Sequence, residues 1–187
     1  MKESLTMLNT QELIDTLLDE YNKNHRKTTG EFTSGGGSGI KDGGLELFDK
    51  MAVQWDKITF PTSFKKAAMD NKLIVKMDSD KVQGAMHIAE GMPNSQIAKR
   101  LMLTEDNLPL LIKSLETNPK DRGKGIGSEL IAHACSKVKP EQMLLLVSDE
   151  SAVNFYKKIG MKKVTGQWFM FDYNQAQAFA QTMAGKK

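Results

Sequence analysis

The residues best placed to do chemistry lie in NPKDRGKGIGSELI, residues 118–131. Gly123, Gly125 and Gly127 fall at every second position among Lys120, Arg122 and Lys124, directly before a stretch that reads as a helix. Glycine lets a backbone approach a ligand closely and adopt φ angles that other residues resist. Successive amides can then converge on one anion, and a helix N-terminus adds unpaired N–H groups and the positive end of its dipole. Arg122 can add a bidentate contact, with Lys120 and Lys124 as charge at the rim. That is the chemistry of a phosphate cradle; a glycine turn kept for packing alone is the alternative. The Walker pattern G-x-x-x-x-G-K-S/T fails because a glycine follows Lys124. The dinucleotide pattern G-x-G-x-x-G fails because Ser128 and Leu130 stand where its third glycine belongs. What fits is R/Q-x-x-G-x-G/A, read as Arg122, Gly123, Lys124, Gly125, Ile126 and Gly127.

Downstream stands SAVNFYKKIGM, residues 151–161. With the glycine loop it resembles the GNAT superfamily of N-acetyltransferases, whose pyrophosphate loop carries the first pattern. The family's second segment, roughly A-x-x-F/L-Y-x-K-x-G-F/M, is matched by Ala152, Phe155, Tyr156, Lys158, Gly160 and Met161. Pro119 sits where the family tends to have a proline. The resemblance is specific over residues 110–161 and compatible over 73–173. One departure is Asp149, where the family often has asparagine.

The resemblance implies an α/β fold with a mixed, mostly antiparallel sheet, central splayed parallel strands and flanking helices. It implies acetyl-CoA as co-substrate, lying in a V-shaped gap between the strands read at 108–117 and 142–148. Backbone groups of Leu115 and Thr117 would pair with the pantetheine amides, and the diphosphate would sit on the amides of residues 122–127. Ser128, Asp149 and Asn154 are further cofactor contacts implied in this way. Acetyl would pass directly to an amine of a small molecule or protein through a tetrahedral intermediate. That amine must be uncharged, so a lysine-like acceptor of pKa about 10.4 has to lose a proton first. Glu116 is the candidate base, directly or through water, with a merely solvated strand carboxylate as the alternative. Tyr156 occupies the family's general-acid position; a phenol of pKa about 10 can protonate a departing thiolate. Simple aromatic packing is its alternative. A non-catalytic module that holds CoA or acetyl-CoA, with an N-terminal helix docking into a partner's groove, is the competing function.

These residues need elements to position them. LELFDKMAVQWDKI and TSFKKAAMDNK read as two helices, and residues 73–78 and 81–90 as two strands about a polar turn. Residues 108–117 read as a buried strand, 128–138 as a helix, 142–148 as an apolar strand and 151–160 as a short helix. The segments KKV and QWFMFDY suggest a hairpin about Thr165-Gly166, and AQAFAQTMA a terminal helix. No first strand is legible ahead of the two helices; it is very short, or that half of the fold is trimmed. Residues 1–25 carry a helical apolar stripe at Leu13, Ile14, Leu17, Leu18 and Tyr21. Residues 26–44, with SGGGSG at their centre, have flexible-coil composition and read as a linker, native or engineered. The acetyltransferase-like domain is then expected over 45–173 and a C-terminal helix or tail over 174–187.

Other reactive residue types carry less. His133 falls opposite the apolar face of its helix and reads as solvated, His87 can face either side of its strand, and no second ligand is spaced for a metal. Cys135 lies on the core side of its helix. Met86, Met92 and Met102 are candidates to line an adaptable acceptor site, and Lys162 and Lys163 read as a wet strand edge. The chain has 187 residues, 40% hydrophobic and 26% charged, with net charge +3. That permits an anionic ligand but falls short of a nucleic-acid footprint. A single cysteine rules out an internal disulfide and suits a reducing compartment. No run nears the roughly 20 apolar residues of a membrane span, and MKESLTMLNT lacks a signal peptide's apolar core. The expectation is a cytoplasmic protein that forms a homodimer or takes a protein partner through its N-terminal helix.

Overall fold

The computed structural model describes residues 38–55 and 62–186. The helix read within 1–25 and most of the Gly-rich linker lie outside them. The centre is a seven-stranded sheet in the order β1-β2-β3-β4-β5-β7-β6. Its strands are β1 (Gly39–Gly43), β2 (Leu73–Asp78), β3 (Lys81–Glu90), β4 (Leu110–Thr117), β5 (Leu144–Val147), β6 (Lys162–Thr165) and β7 (Trp168–Phe171). Among the described residues only β4 and β5 run parallel; the other neighbouring pairs are antiparallel. Around the sheet lie α1 (Leu45–Gln54), α2 (Thr62–Met69), α3 (Ser95–Arg100), α4 (Ile126–Ser136), α5 (Val153–Lys158) and α6 (Tyr173–Ala184).

Strand side chains alternate between faces, and here the alternation sorts into two layers. Ile74, Met86, Ile112, Leu144, Leu146, Phe169 and Phe171 point to the layer holding Leu130, Ile131, Ala134 and Cys135 of α4, Tyr156 of α5 and Ala176 of α6. The intervening residues face the other way. Leu73, Val75, Met77 and Ala85 meet Met51 of α1, Trp55 just after it, and Phe64 and Ala67 of α2. Leu111 and Leu145 meet Ile97 of α3.

Capping and side-chain ties fix the helices. Asp172 caps α6 in a reciprocal box with Gln175, at 2.9 and 3.2 Å. Gln177 then donates to the carbonyls of Cys135 and Val138 at the end of α4. The indole of Trp55 donates to the Val82 carbonyl at 2.7 Å. Gln54 brackets the β2–β3 turn through the Asp80 carbonyl and the Val82 amide.

Two differences from the sequence reading matter. A first strand exists: β1 pairs with β2 from Gly39↔Met77 to Gly43↔Leu73, inside the stretch read as linker. The connection at 91–107 also holds structure, since α3 is capped by Asn94, whose side chain accepts from the Ile97 amide. Lys162 and Lys163 are exposed on the edge strand β6, as expected. Among the described residues no helix is long and apolar enough to cross a membrane.

Candidate active site

The gap between β4 and β5 comes from their unequal pairing. They are in register only from Leu110↔Leu144 to Ile112↔Leu146, yet β4 continues to Thr117. At this point β4 bulges. Against β3, His87 faces Ser114 and Ile88 faces Ile112, which leaves Lys113 without an opposite residue. An extra residue bends its strand and sharpens the local twist, so the second half of β4 departs from β5. Among the described residues the edge carrying Leu115 and Thr117 therefore has no strand partner on that side, which suits its backbone groups to pairing with an extended ligand.

The glycine loop closes the end of this edge. The Asn118 amide donates to the Gln83 carbonyl at 2.9 Å and its side chain accepts from the Lys120 amide at 3.0 Å. Asp121 is fully buried, with Lys124 Nζ at 2.7 Å and Lys81 Nζ at 2.9 Å. The Lys124 ammonium, followed by that of Lys81, holds the Asp121 carboxyl below its ordinary value. Lys124 thus folds back to fix the loop, so rim charge falls to Lys120 and Arg122, both exposed and outside every ion pair among the described residues.

The three glycines divide their work. Gly123 at φ 81° and Gly125 at φ 84° need the left-handed region, and Gly125 is the N-cap of α4. Gly127 is helical instead, and a Cβ there would stand 3.3 Å from Cζ of Phe155. The first backbone bond of α4 runs from the Glu129 amide to the Gly125 carbonyl at 3.0 Å. The amides of Ile126, Gly127 and Ser128 come earlier in the helix and have no intrahelical acceptor. A glycine the sequence reading passed over matters equally. Gly84 of β3 leaves α4 room to lie on the sheet, since a Cβ there would be 2.7 Å from Ile126 and 2.9 Å from Leu130.

Tyr156 is buried on α5, its ring edge-on to Phe155 at 5.1 Å and tilted on Phe169 at 5.7 Å. Because Phe155 also lies against Gly127, the cradle and the phenol are mechanically linked. Burial, then the charges of Asp149 and Glu116, push the Tyr156 phenol up to about 12. Burial likewise raises the Glu116 carboxyl, with Arg122 opposing and Asp149 adding to the shift. Arg122 and Asp149 act on Glu116, and Asp149 and Glu116 act on Tyr156, so the four lie in one electrostatic neighbourhood. Asp149 Oδ1 accepts from Ser151 Oγ at 2.6 Å and the Ala152 amide at 3.1 Å, so one of its oxygens caps the turn before α5. The Ser151 bond holds its carboxyl below the ordinary value. Asn154 is exposed on the first turn of α5.

The remaining reactive side chains are also placed. His87 is buried facing α2, and its Nδ1 has no hydrogen-bond partner among the described residues. Such an orphan costs about 1–3 kcal/mol. His133 is not solvated as the sequence suggested. It is half-buried with Nε2 4.0 Å from Asp42 Oδ1, because β1 brings Asp42 over α4. Burial lowers the pKa of both histidines. Cys135 is fully buried and its thiol is pushed up to about 12 by burial. Met86 is fully buried between sheet and helices and cannot line an acceptor site, whereas Met92 and Met102 are exposed.

Comparison with known proteins agrees with this geometry. The acetyltransferase (GNAT) domain family matches residues 48–178. The chain belongs to the GNAT acetyltransferase family. Among solved structures, the Bacillus subtilis N-acetyltransferase YlbP in complex with coenzyme A is similar in fold, with TM-score 0.55 and 11% identity over 73% of this chain and 97% of that one. A GNAT-family acetyltransferase from Bacillus cereus has TM-score 0.54 and 12% identity, covering 73% and 98%. The loading GNATL domain of CurA from Lyngbya majuscula has TM-score 0.51 and 13% identity, covering 74% and 98%. No curated protein matches in sequence.

Proposed function

We propose that the chain is an acetyl-CoA-dependent N-acetyltransferase that passes acetyl directly to an uncharged amine, with Tyr156 as general acid and Glu116 as base. The observation that carries this is the meeting of three features at one gap. They are the β4 edge with no strand partner among the described residues, the amides of Ile126, Gly127 and Ser128 with no intrahelical acceptor, and the Glu116 carboxylate whose charge reaches the Tyr156 phenol. Coenzyme A fits these residues. The α4 N-terminus and Arg122 suit its diphosphate, and the backbone at Leu115 and Thr117 suits its amide-bearing arm. When bound, its thioester supplies an activated acyl carbon and a thiolate leaving group.

Each protein group then has a proton to move. Burial brings the Glu116 carboxylate nearer to neutrality, which makes it a better acceptor of the ammonium proton. The Tyr156 phenol stays protonated at neutral pH and can donate to the leaving sulfur. Against a thiolate of about 8.5 in water that phenol is a weak acid. The same desolvation raises the thiolate's proton affinity, which narrows the mismatch. An unpaired, buried Cys135 suits a reducing cytoplasmic setting.

Incubation with acetyl-CoA and a mixed panel of amines and peptides should release free thiol, and calorimetry should register heat with coenzyme A. Absence of that heat overturns the proposal. Tight binding with no thiol release across the panel favours the non-catalytic module.

A further inference from the structure

Glycine loses more conformational freedom on folding than any other residue, and the loop before α4 is rich in it. Gly123 and Gly125 both stand in the left-handed region, so a run of this composition has little reason of its own to hold one shape. Residues 119–120 and 122–125 are exposed, while Asn118, Asp121 and Ile126 are buried. Asn118 and Ile126 hold the two ends of the loop, and Asp121 is the anchor in its middle. The Asp121 amide donates to the Asn118 carbonyl at 2.8 Å. Its carboxylate has no exposed surface and accepts at Oδ1 from Lys124 Nζ at 2.7 Å and Lys81 Nζ at 2.9 Å. Lys124 lies between the two left-handed glycines, so this one carboxylate ties their turn to the first residue of β3. Glu129, in the first turn of α4, is held in a similar way by Lys76 of β2 at 2.6 Å. Charge alone does not explain a carboxylate inside an anion-binding loop. It repels a diphosphate, and it draws Lys124 away from the rim. Such a group can favour the ligand only through the shape it imposes.

We propose that Asp121 is a positioning residue of the diphosphate cradle. Through Lys124 and Lys81 it holds the 122–125 turn in the shape that leaves the amides of Ile126, Gly127 and Ser128 open to the ligand. Order installed before the ligand arrives raises affinity by removing part of the ordering cost of binding. The gain belongs to the diphosphate and not to the pantetheine arm, which the acetyltransferase reading lays along β4. This assignment rests on that reading, and its test separates the two.

Asp121→Asn keeps the size of the side chain and removes its charge. Long-range charge predicts that losing a negative group tightens the binding of an anion, whereas positioning predicts the opposite sign. Calorimetry on the full chain measures coenzyme A and, at millimolar concentration, pantetheine, which carries no phosphate. In Asp121→Asn the affinity for coenzyme A should fall about tenfold or more, with that for pantetheine within error of the wild type. Lys81→Met alters nothing inside the loop and should weaken coenzyme A in the same selective way. Its loss should persist in about 1 M salt, where long-range attraction is screened. That variant decides the matter if Asp121→Asn does not fold. Coenzyme A affinity that rises or holds in Asp121→Asn, a loss shared equally by pantetheine, or a Lys81→Met loss that vanishes in salt overturns the proposal. If the wild-type chain binds no coenzyme A, the acetyltransferase reading fails and takes this one with it.

Discussion

Burial raises both Glu116 and Tyr156, and the Glu116 charge adds to the shift of the phenol. Replacing Tyr156 with Phe keeps the ring stacked between Phe155 and Phe169 and removes only the proton. Turnover should fall about 100-fold or more, the range of general acid–base contributions, while coenzyme A affinity by calorimetry stays within error. An unchanged turnover number removes Tyr156 from the mechanism. Glu116 gives a directional pH prediction. A carboxyl accepts a proton only when ionised, and burial lifts this one above the ordinary 4.5. The rate should therefore fall as pH is lowered through that raised value, and Glu116→Gln should lower kcat/KM and abolish that acidic limb.

At the scale of elements, the placement of α4 decides whether a cradle exists. Gly125→Val forces a β-branched side chain into φ 84°, a left-handed conformation costing about 1–2 kcal/mol for L-residues. The loop should shift to relieve it, and coenzyme A affinity should drop at least tenfold (about 1.4 kcal/mol). Gly84→Val acts from beneath by overpacking against Ile126 and Leu130, at about 1–3 kcal/mol. It should lower Tm as well as affinity, whereas Gly125→Val acts mainly on affinity; thermal melts beside calorimetry separate the two. How far these elements can be read from sequence follows from their local signal. Helix α4 and strand β5 are legible because Leu130, Ile131, Ala134 and Cys135 keep a helical period and LLLV is uniformly apolar. Strand β1 is not, because GIKDG offers one large apolar residue between two glycines and takes its extended form from pairing with β2. Helix α3 is six residues long with Ile97 as its one buried residue, too short for a period to show. The left-handed turn at Gly125 and the core face of Tyr156 are legible, because a glycine directly before a helix and an aromatic on the apolar stripe of a short helix carry local signals. The meeting of Lys81 with Asp121 and Lys124 is not, since they touch only once β3 and the glycine loop are assembled.

For the whole molecule, the contribution of β1 is a matter of strand pairing. A chain beginning at Ser38 keeps β1 and should bind coenzyme A like the full protein. One beginning at Leu45 uncovers the edge of β2 and removes Asp42 from above His133 and Lys137, so its Tm should be lower. Equal melting of the two would mean that β1 adds nothing. Acid stability follows from the buried His87 and the half-buried His133. Both have folded values below 6.5, chiefly through burial, so the unfolded chain takes up protons first as pH falls. Wherever the unfolded state holds more protons, stability declines on acidification, and the decline should begin near pH 6.5. Glu116 works oppositely, because its raised folded value lets the native state bind a proton before the unfolded one, but it is one group against two. Asp121 enters only lower down. Its stabilisation is complete above the ordinary 3.8 and is lost as pH falls through its depressed folded value. Melts from pH 7.5 to 4.5 should show Tm falling in the wild-type chain, and His87→Gln with His133→Gln together should flatten that slope. A Tm that holds level across the range would mean that the imidazoles titrate alike in the folded and unfolded chain.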